Sequence, residues 1–164
     1  MTRTAALKIT TPSEREVAVT REFDAPRGMV FDAHTKPELV RQWLLGPPGW
    51  TMPVCEIDLR VGGKYRYEWA NADGRRMGVA GKFTEITRPS RIVVTQLFDE
   101  DWTGGETLVT TDLVERSGKT TLTTTVRYSS RDARDAALKT GMTTGMEAGY
   151  ERLEELLKAE HSHG

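Results

Sequence analysis

The sequence predicts an α+β fold, in which a curved antiparallel sheet of about seven strands wraps around one long C-terminal helix. Apolar and polar residues alternate through most of the region between Thr51 and Tyr128, which is typical of half-buried strands. Apolar residues between Ser129 and Lys158 instead recur with the 3.6-residue period of a helix. Because a helix with one apolar face must bury that face, we expect the sheet to cover it.

The chain begins with a polar arm over residues 1–14, which shows no periodic pattern and which we predict to be flexible. A strand is predicted over residues 15–23, where one face carries Val17, Val19, Arg21 and Phe23. Two short helices follow, with Pro26 and Pro37 in their first turns, where proline is well tolerated. A glycine- and proline-rich turn over residues 46–49 ends the second helix.

Six strands are predicted between residues 52 and 128. The clearest alternation covers residues 64–70, where one face carries Tyr65, Tyr67 and Trp69. A later strand places Gln96 and Phe98 on one face, and the loop after it holds Trp102. The predicted order is therefore one strand, two short helices, six strands and one long helix.

The long helix is predicted over residues 129–158, with Ser129 or Ser130 as its N-cap. On a helical wheel, its apolar face carries Leu138, Met142, Gly145, Met146, Gly149, Leu153, Leu156 and Leu157. The opposite face carries Glu147, Glu151, Glu154, Glu155 and Lys158. We expect the first face to lie against the sheet and the second to face water.

A stripe of glycines, Gly141, Gly145 and Gly149, lies beside the apolar face of this helix. Each glycine in a helix interior costs about 1 kcal/mol relative to alanine, so the stripe needs an explanation. Three interpretations stay open: close approach of the helix to the sheet, space for a ligand between them, and contact with a partner chain in a homodimer.

Composition and charge limit the classes of protein to which this chain can belong. The 164 residues suit one domain, which we predict over residues 15–158, followed by a flexible tail over residues 159–164. A net charge of −1 provides no excess of positive charge to attract the phosphate backbone of a nucleic acid. No apolar run approaches the roughly 20 residues that a membrane span needs. The single cysteine, Cys55, excludes an internal disulfide, and we expect a cytoplasmic protein.

Several short motifs resemble those of the START-related helix-grip (SRPBCC) superfamily. They are residues 21–26, the region of Trp43, the hairpin over residues 58–65, the strand segment 81–86, residues 118–120 and residues 149–153. Within the superfamily, the chain is most similar to the domain of activator of Hsp90 ATPase homologues, often described as polyketide cyclase-like in bacteria. The resemblance spans about residues 15–157 and implies a helix-grip fold with a cavity between the long helix and the sheet.

The resemblance and the strand alternation together predict an aromatic wall for this cavity. The predicted lining consists of Trp43, Tyr65, Tyr67, Trp69, Gln96, Phe98, Met142, Gly145, Met146, Gly149 and Tyr150. Tyrosine hydroxyls and the tryptophan indole need partners when buried, so this wall predicts a partly polar interior. The alternative interpretation is that the same aromatic residues form an ordinary core.

The sequence contains no nucleophile motif, metal-ligand cluster, phosphate-binding loop or dinucleotide fingerprint. We therefore predict no catalytic residue, no metal site and no cofactor. His34 is interpreted as a histidine with satisfied hydrogen bonds, and His161 and His163 as weak metal ligands at best. Cys55 is interpreted as a small buried apolar residue. Asp112 would suit acid–base chemistry if it faced inward, which its threonine-rich strand leaves undecided.

These observations favour a domain that binds a small apolar or aromatic molecule. One alternative is an enzyme of aromatase/cyclase type acting on a polyketide-like substrate, with tyrosine or carboxylate groups that move protons. The other alternative is a protein that docks on an Hsp90-type chaperone or acts in a stress response. We expect no nucleic acid and no membrane among the partners.

Overall fold

The computed structural model describes the backbone of residues 7–45, 48–100 and 103–163, and side chains as far as residue 160. Along the chain, these residues form β1 (Lys8–Thr10), β2 (Glu16–Phe23), α1 (Arg27–Thr35), α2 (Pro37–Trp43), β3 (Trp50–Ile57), β4 (Lys64–Asn71), β5 (Arg76–Thr87), β6 (Arg91–Phe98), β7 (Thr107–Arg116), β8 (Lys119–Arg127), α3 (Arg131–Leu138) and α4 (Met142–His163). The described strands form one sheet in the order β1-β2-β8-β7-β6-β5-β4-β3. Every neighbouring pair is antiparallel, which confirms the predicted α+β helix-grip class.

The N-terminal segment contains one strand more than the sequence predicted. Lys8 to Thr10 pair with β2, with Lys8 opposite Thr20, so part of the predicted arm belongs to the sheet. The described residues do not include residues 1–6 of that arm, Gly46 and Pro47 of the predicted turn, or Trp102.

The register between strands defines one continuous inner face. Tyr67 on β4 lies opposite Val79 on β5, which lies opposite Phe98 on β6. Farther along the sheet, Val109 on β7 lies opposite Val126 on β8. Because cross-strand partners share a face, the side chains of these five residues point towards the same layer of helices.

The prediction of a single helix over residues 129–158 is wrong, because this part of the chain forms two helices. Ser130, the second of the two predicted caps, accepts a hydrogen bond from the backbone N–H of Ala133 at 3.0 Å and begins α3. Gly141, which lies between the end of α3 and the start of α4, has a φ of +82°, a left-handed conformation that interrupts the helical path. α4 then continues to His163, into the segment predicted as a tail. No helix in the described ranges is long and apolar enough to cross a membrane.

The second half of α4 packs against buried residues of the sheet. Leu153 and Leu157 on the helix are buried, as are Phe23, Leu113 and Leu122 on β2, β7 and β8. We call this region the closed end. It shows that the predicted apolar face of the helix does lie towards the sheet.

Candidate functional site

The face of α4 that packs on the core changes in exposure along the helix. In the first half, Met142, Gly145 and Met146 are only partly buried. In the second half, Tyr150 and Leu153 have 4% and 0% of their surface exposed. The two methionines nevertheless pack against the core, so solvent reaches the first half of this helix face although it lies on the core.

The inner face of the sheet shows the same gradient. Trp69, Gln96 and Phe98 are partly exposed, although the register places them on the inner face. Phe83 and Leu113, on the same face, are buried. The inner face is therefore filled at one end of the strands and only partly covered at the other.

The partly exposed parts of the helix and the sheet lie towards the same end of the strands. Gln96 lies opposite Thr107 at the start of β7, and the end of β8 lies beside that strand end. Tyr128, the residue after β8, donates a hydrogen bond from its hydroxyl to Sδ of Met142 at 3.2 Å. We call this region the open end, defined by Trp69, Gln96, Phe98, Met142 and Met146.

The aromatic residues of β4 form a continuous wall that leads to the open end. The ring centroids of Tyr65 and Tyr67 are 5.1 Å apart, and those of Tyr67 and Trp69 are 6.1 Å apart. Trp69 stacks on Phe98 at 6.4 Å, and its Nε1–H donates to the carbonyl oxygen of Leu44 at 2.7 Å. This bond holds the indole between the sheet and the end of α2, with its ring facing inward.

The two tyrosines of the wall differ in their hydroxyl groups. Tyr65 donates to the carbonyl oxygen of Thr95 at 2.7 Å. Its ring reaches that position across Gly81, where a Cβ would collide with the Thr95 carbonyl group. The Tyr67 hydroxyl has no hydrogen-bond partner among the residues that the structure describes. Burial raises the pKa of both phenols, so both keep their protons at neutral pH.

Two of the aromatic residues predicted to line the cavity are buried against each other. Trp43 is buried, and its Nε1–H donates to the carbonyl oxygen of Ala33 at 2.8 Å. Tyr150 stacks on Trp43 with centroids 6.0 Å apart, and its hydroxyl lies 2.9 Å from Oγ1 of Thr124. Burial raises the pKa of Tyr150 to about 12. Both polar groups are thus satisfied within the protein, away from the open end.

The three glycines of the predicted stripe have three different surroundings. Gly141 lies between α3 and α4, and Gly145 is partly exposed beside the open end. Gly149 is buried, and a Cβ there would lie 3.3 Å from the carbonyl oxygen of Trp43. Close backbone approach thus explains Gly149, but the neighbour is α2 and not the sheet.

The histidine and cysteine side chains that the structure describes lie in surroundings that keep them uncharged, which suits a structural role. Nδ1 of His34 lies 2.8 Å from the carbonyl oxygen of Val30, so Nδ1 carries the proton and donates. Desolvation lowers the pKa of His34 to about 4, which keeps the ring neutral. Burial raises the pKa of Cys55 to about 11, which keeps its thiol protonated. The side chains of His161 and His163 lie outside the described residues.

A buried ion pair joins the sheet to α4, and the sequence analysis missed it. Nη1 of Arg21 lies 3.5 Å from Oε1 of Glu154, with 2% and 18% of the two side chains exposed. Arg21 also donates to the carbonyl oxygen of Glu22 and lies 4.5 Å from the ring centroid of Phe23. The helical wheel had assigned Glu154 to the water-facing side, which is wrong. The signal for this pair was the presence of Arg21 on an otherwise apolar strand face.

Asp112 faces away from the helices. Its neighbours Thr111 and Leu113 are buried on the inner face, so alternation directs Asp112 outward. There it accepts a hydrogen bond from Nη1 of Arg91 at 3.1 Å. Among the described residues, no group of three or more histidine, cysteine or acidic side chains is placed to hold a metal ion.

Three apolar residues that the sequence analysis did not select also border the open end. Leu44 at the end of α2, Val94 on β6 and Val109 on β7 are partly exposed and pack against the core. Val94 alternates in phase with Gln96, which was the available signal. Val109 belongs to the threonine-rich hairpin, whose inward face only the register identifies.

Comparisons with known proteins agree on one family. The family model described as Activator of Hsp90 ATPase homolog 1-like protein matches residues 24–158. No curated protein matches the chain.

Solved structures similar to this chain come from several bacteria. A Rhodobacter sphaeroides protein is 35% identical, with a TM-score of 0.88 over 93% of this chain and 98% of its own. A Nitrosomonas europaea protein is 25% identical, with a TM-score of 0.81 over 92% of this chain and 98% of its own. A Silicibacter pomeroyi protein named AHSA1 is 24% identical, with a TM-score of 0.73 over 89% of this chain and 99% of its own. The last of these shows the fold alone.

Proposed function

Given that this chain belongs to the Activator of Hsp90 ATPase homolog 1-like family, we propose that it binds a small apolar or aromatic molecule at the open end. The observation that carries the proposal is the exposure gradient shared by the helix and the sheet. Trp69, Phe98, Met142 and Met146 are large apolar side chains that face inward and remain partly exposed. A ligand between them would remove this apolar surface from water.

The composition of the open end suits a flat apolar ligand. Trp69 and Phe98 stack with an interplanar angle of 23°, so they present an ordered aromatic surface. Met142 and Met146 lie on the facing helix, and methionine side chains adapt readily to irregular apolar shapes. One wall is therefore rigid and the opposite wall is adaptable, a combination that fits ligands of varied outline.

Proton-transfer chemistry has less support at this end. A general acid or base works best when its pKa lies near the working pH. Burial raises the pKa values of Tyr65 and Tyr67 far above neutrality, and Asp112 points outward. These observations favour ligand binding over an aromatase/cyclase-type reaction as the role of the wall.

The test is a titration of the protein with N-phenyl-1-naphthylamine, a neutral aromatic dye whose fluorescence rises in apolar surroundings. We expect saturable binding with one site per chain. Phe98→Ala should weaken binding about tenfold or more, since it removes much of an aromatic side chain from the wall. Leu97→Ala is the matched control, because Leu97 is 43% exposed on the other face of the same strand.

Two results would contradict the proposal. One is the absence of saturable dye binding by the folded protein. The other is an equal loss of affinity in both variants, which would place the dye outside the open end. Circular dichroism melts of both variants establish that each remains folded at the titration temperature.

A further inference from the structure

The Tyr67 hydroxyl is a polar group on the inner face that bonds to no other described residue. Only 9% of the residue is exposed, and the hydroxyl has no hydrogen-bond partner among the described residues. Its oxygen is not fully shielded from solvent, so a ligand that displaces water there must offer the hydroxyl a hydrogen-bond partner. The neighbouring Tyr65 shows the usual arrangement, because its hydroxyl donates to the Thr95 carbonyl oxygen.

A second polar group lies on the same face, at the open end. The backbone oxygen of Gln96 accepts a hydrogen bond from Thr107 Oγ1 at 3.2 Å, but its side-chain amide has no partner within the part of the chain that the structure describes. Gln96 and Phe98 point inward from one strand, and Tyr67 points inward from β4, two strands away. A ligand that lies on the aromatic wall would have both groups beside it.

The charges near this end do not favour an anionic ligand. Arg21, the arginine buried on the inner face, is paired with Glu154 at the closed end. Glu106, which precedes Thr107 at the same strand end, is exposed and places a negative charge there. A carboxylate at the open end would therefore be desolvated near a negative charge, which is unfavourable.

We propose that the open end selects neutral aromatic molecules that carry a carbonyl group, with the Tyr67 hydroxyl and the Gln96 amide as donors to the carbonyl oxygen. This inference rests on the proposed function, because it defines the ligand class of the same site. A carbonyl oxygen has two lone pairs and accepts both bonds. The hydrocarbon of the same shape would leave both protein groups without partners.

The experiment compares two probes with the same number of non-hydrogen atoms, 2-acetylnaphthalene and 2-isopropenylnaphthalene, in competition with N-phenyl-1-naphthylamine. We expect the parent protein to bind the ketone about five- to tenfold more tightly than the hydrocarbon, as one buried hydrogen bond predicts. Tyr67→Phe should bring the two affinities within about twofold of each other by weakening only ketone binding. A third probe, 2-naphthoate, should bind more weakly than the ketone.

Tyr65→Phe is the matched control. It removes a hydroxyl from the same strand face, but this hydroxyl is already bonded to Thr95. The variant should melt at a lower temperature and retain the preference for the ketone. Tyr67→Phe should melt close to the temperature of the parent, since it removes no hydrogen bond between described residues.

The outcomes separate the two proposals. If both naphthalenes displace the dye with equal affinity, the carbonyl selection is wrong and the apolar site stands. If neither displaces the dye and the dye itself does not bind, the proposed function fails. A ketone preference that survives both Tyr67→Phe and Gln96→Leu would also overturn the inference, because the donors would then lie elsewhere.

Discussion

Replacement of Glu154 by leucine should destabilise the protein by about 3 kcal/mol, because it leaves Arg21 buried without a counter-ion. The two charged atoms are 3.5 Å apart. At an effective dielectric constant of about 20, Coulomb's law gives about 5 kcal/mol for that separation. Glu154 is 18% exposed, so water screens part of this attraction, which reduces the expected loss.

Replacement of Arg21 instead of Glu154 should destabilise the protein less. Arg21→Met leaves Glu154, whose partly exposed side chain regains water by a small rotation. We expect a loss of about 1–2 kcal/mol, part of it from the lost packing over Phe23. The double variant replaces the pair by two apolar side chains of similar length. It should lie within about 1 kcal/mol of the parent, since no charge is then left buried.

The assay is urea denaturation followed by circular dichroism for all four proteins, analysed as a double-mutant cycle. The expected coupling between the two residues is about 3 kcal/mol, with Glu154→Leu the least stable protein. If the losses of the two single variants simply add, the residues do not interact, and the placement of Glu154 against the sheet is wrong. Equal slopes against urea are needed for the comparison to hold.

The remaining predictions concern pH and the helix break. Desolvation lowers the pKa of His34 from 6.5 to about 4, so the unfolded chain binds more protons between these values. The contribution of His34 to the free energy of unfolding should be constant above about pH 7. It should fall by up to about 2 kcal/mol at pH 5. His34→Gln should reduce that fall, and identical pH profiles would contradict the assignment. Gly141→Ala should cost about 1 kcal/mol, because the φ of +82° is unfavourable for alanine and no heavy atom lies within 4 Å of the position of its Cβ. Gly141→Asn should cost less, since asparagine tolerates this conformation, and an alanine variant as stable as the parent would show that the helix break is not maintained by backbone conformation.

The features that local periodicity controls were predictable from the sequence. Alternation along residues 64–70 placed Tyr65, Tyr67 and Trp69 on one face, and the register confirms this arrangement. The fold class followed from the same kind of pattern and from the family resemblance, and the family match confirms it. Side-chain direction along a strand depends only on neighbouring residues, which is why a sequence reveals it.

The division of the lining residues between the open and closed ends was decided by tertiary structure alone. Met146 and Tyr150 lie one helical turn apart on the same face, yet only Tyr150 meets Trp43 and Thr124. Likewise, the position of Glu154 depends on Arg21, which is distant in the sequence. Periodicity indicates the face on which a side chain lies, whereas burial depends on which distant residue packs against it. That pairing is a property of the assembled fold, so the sequence determined the wall and the tertiary structure determined which part of it remains accessible.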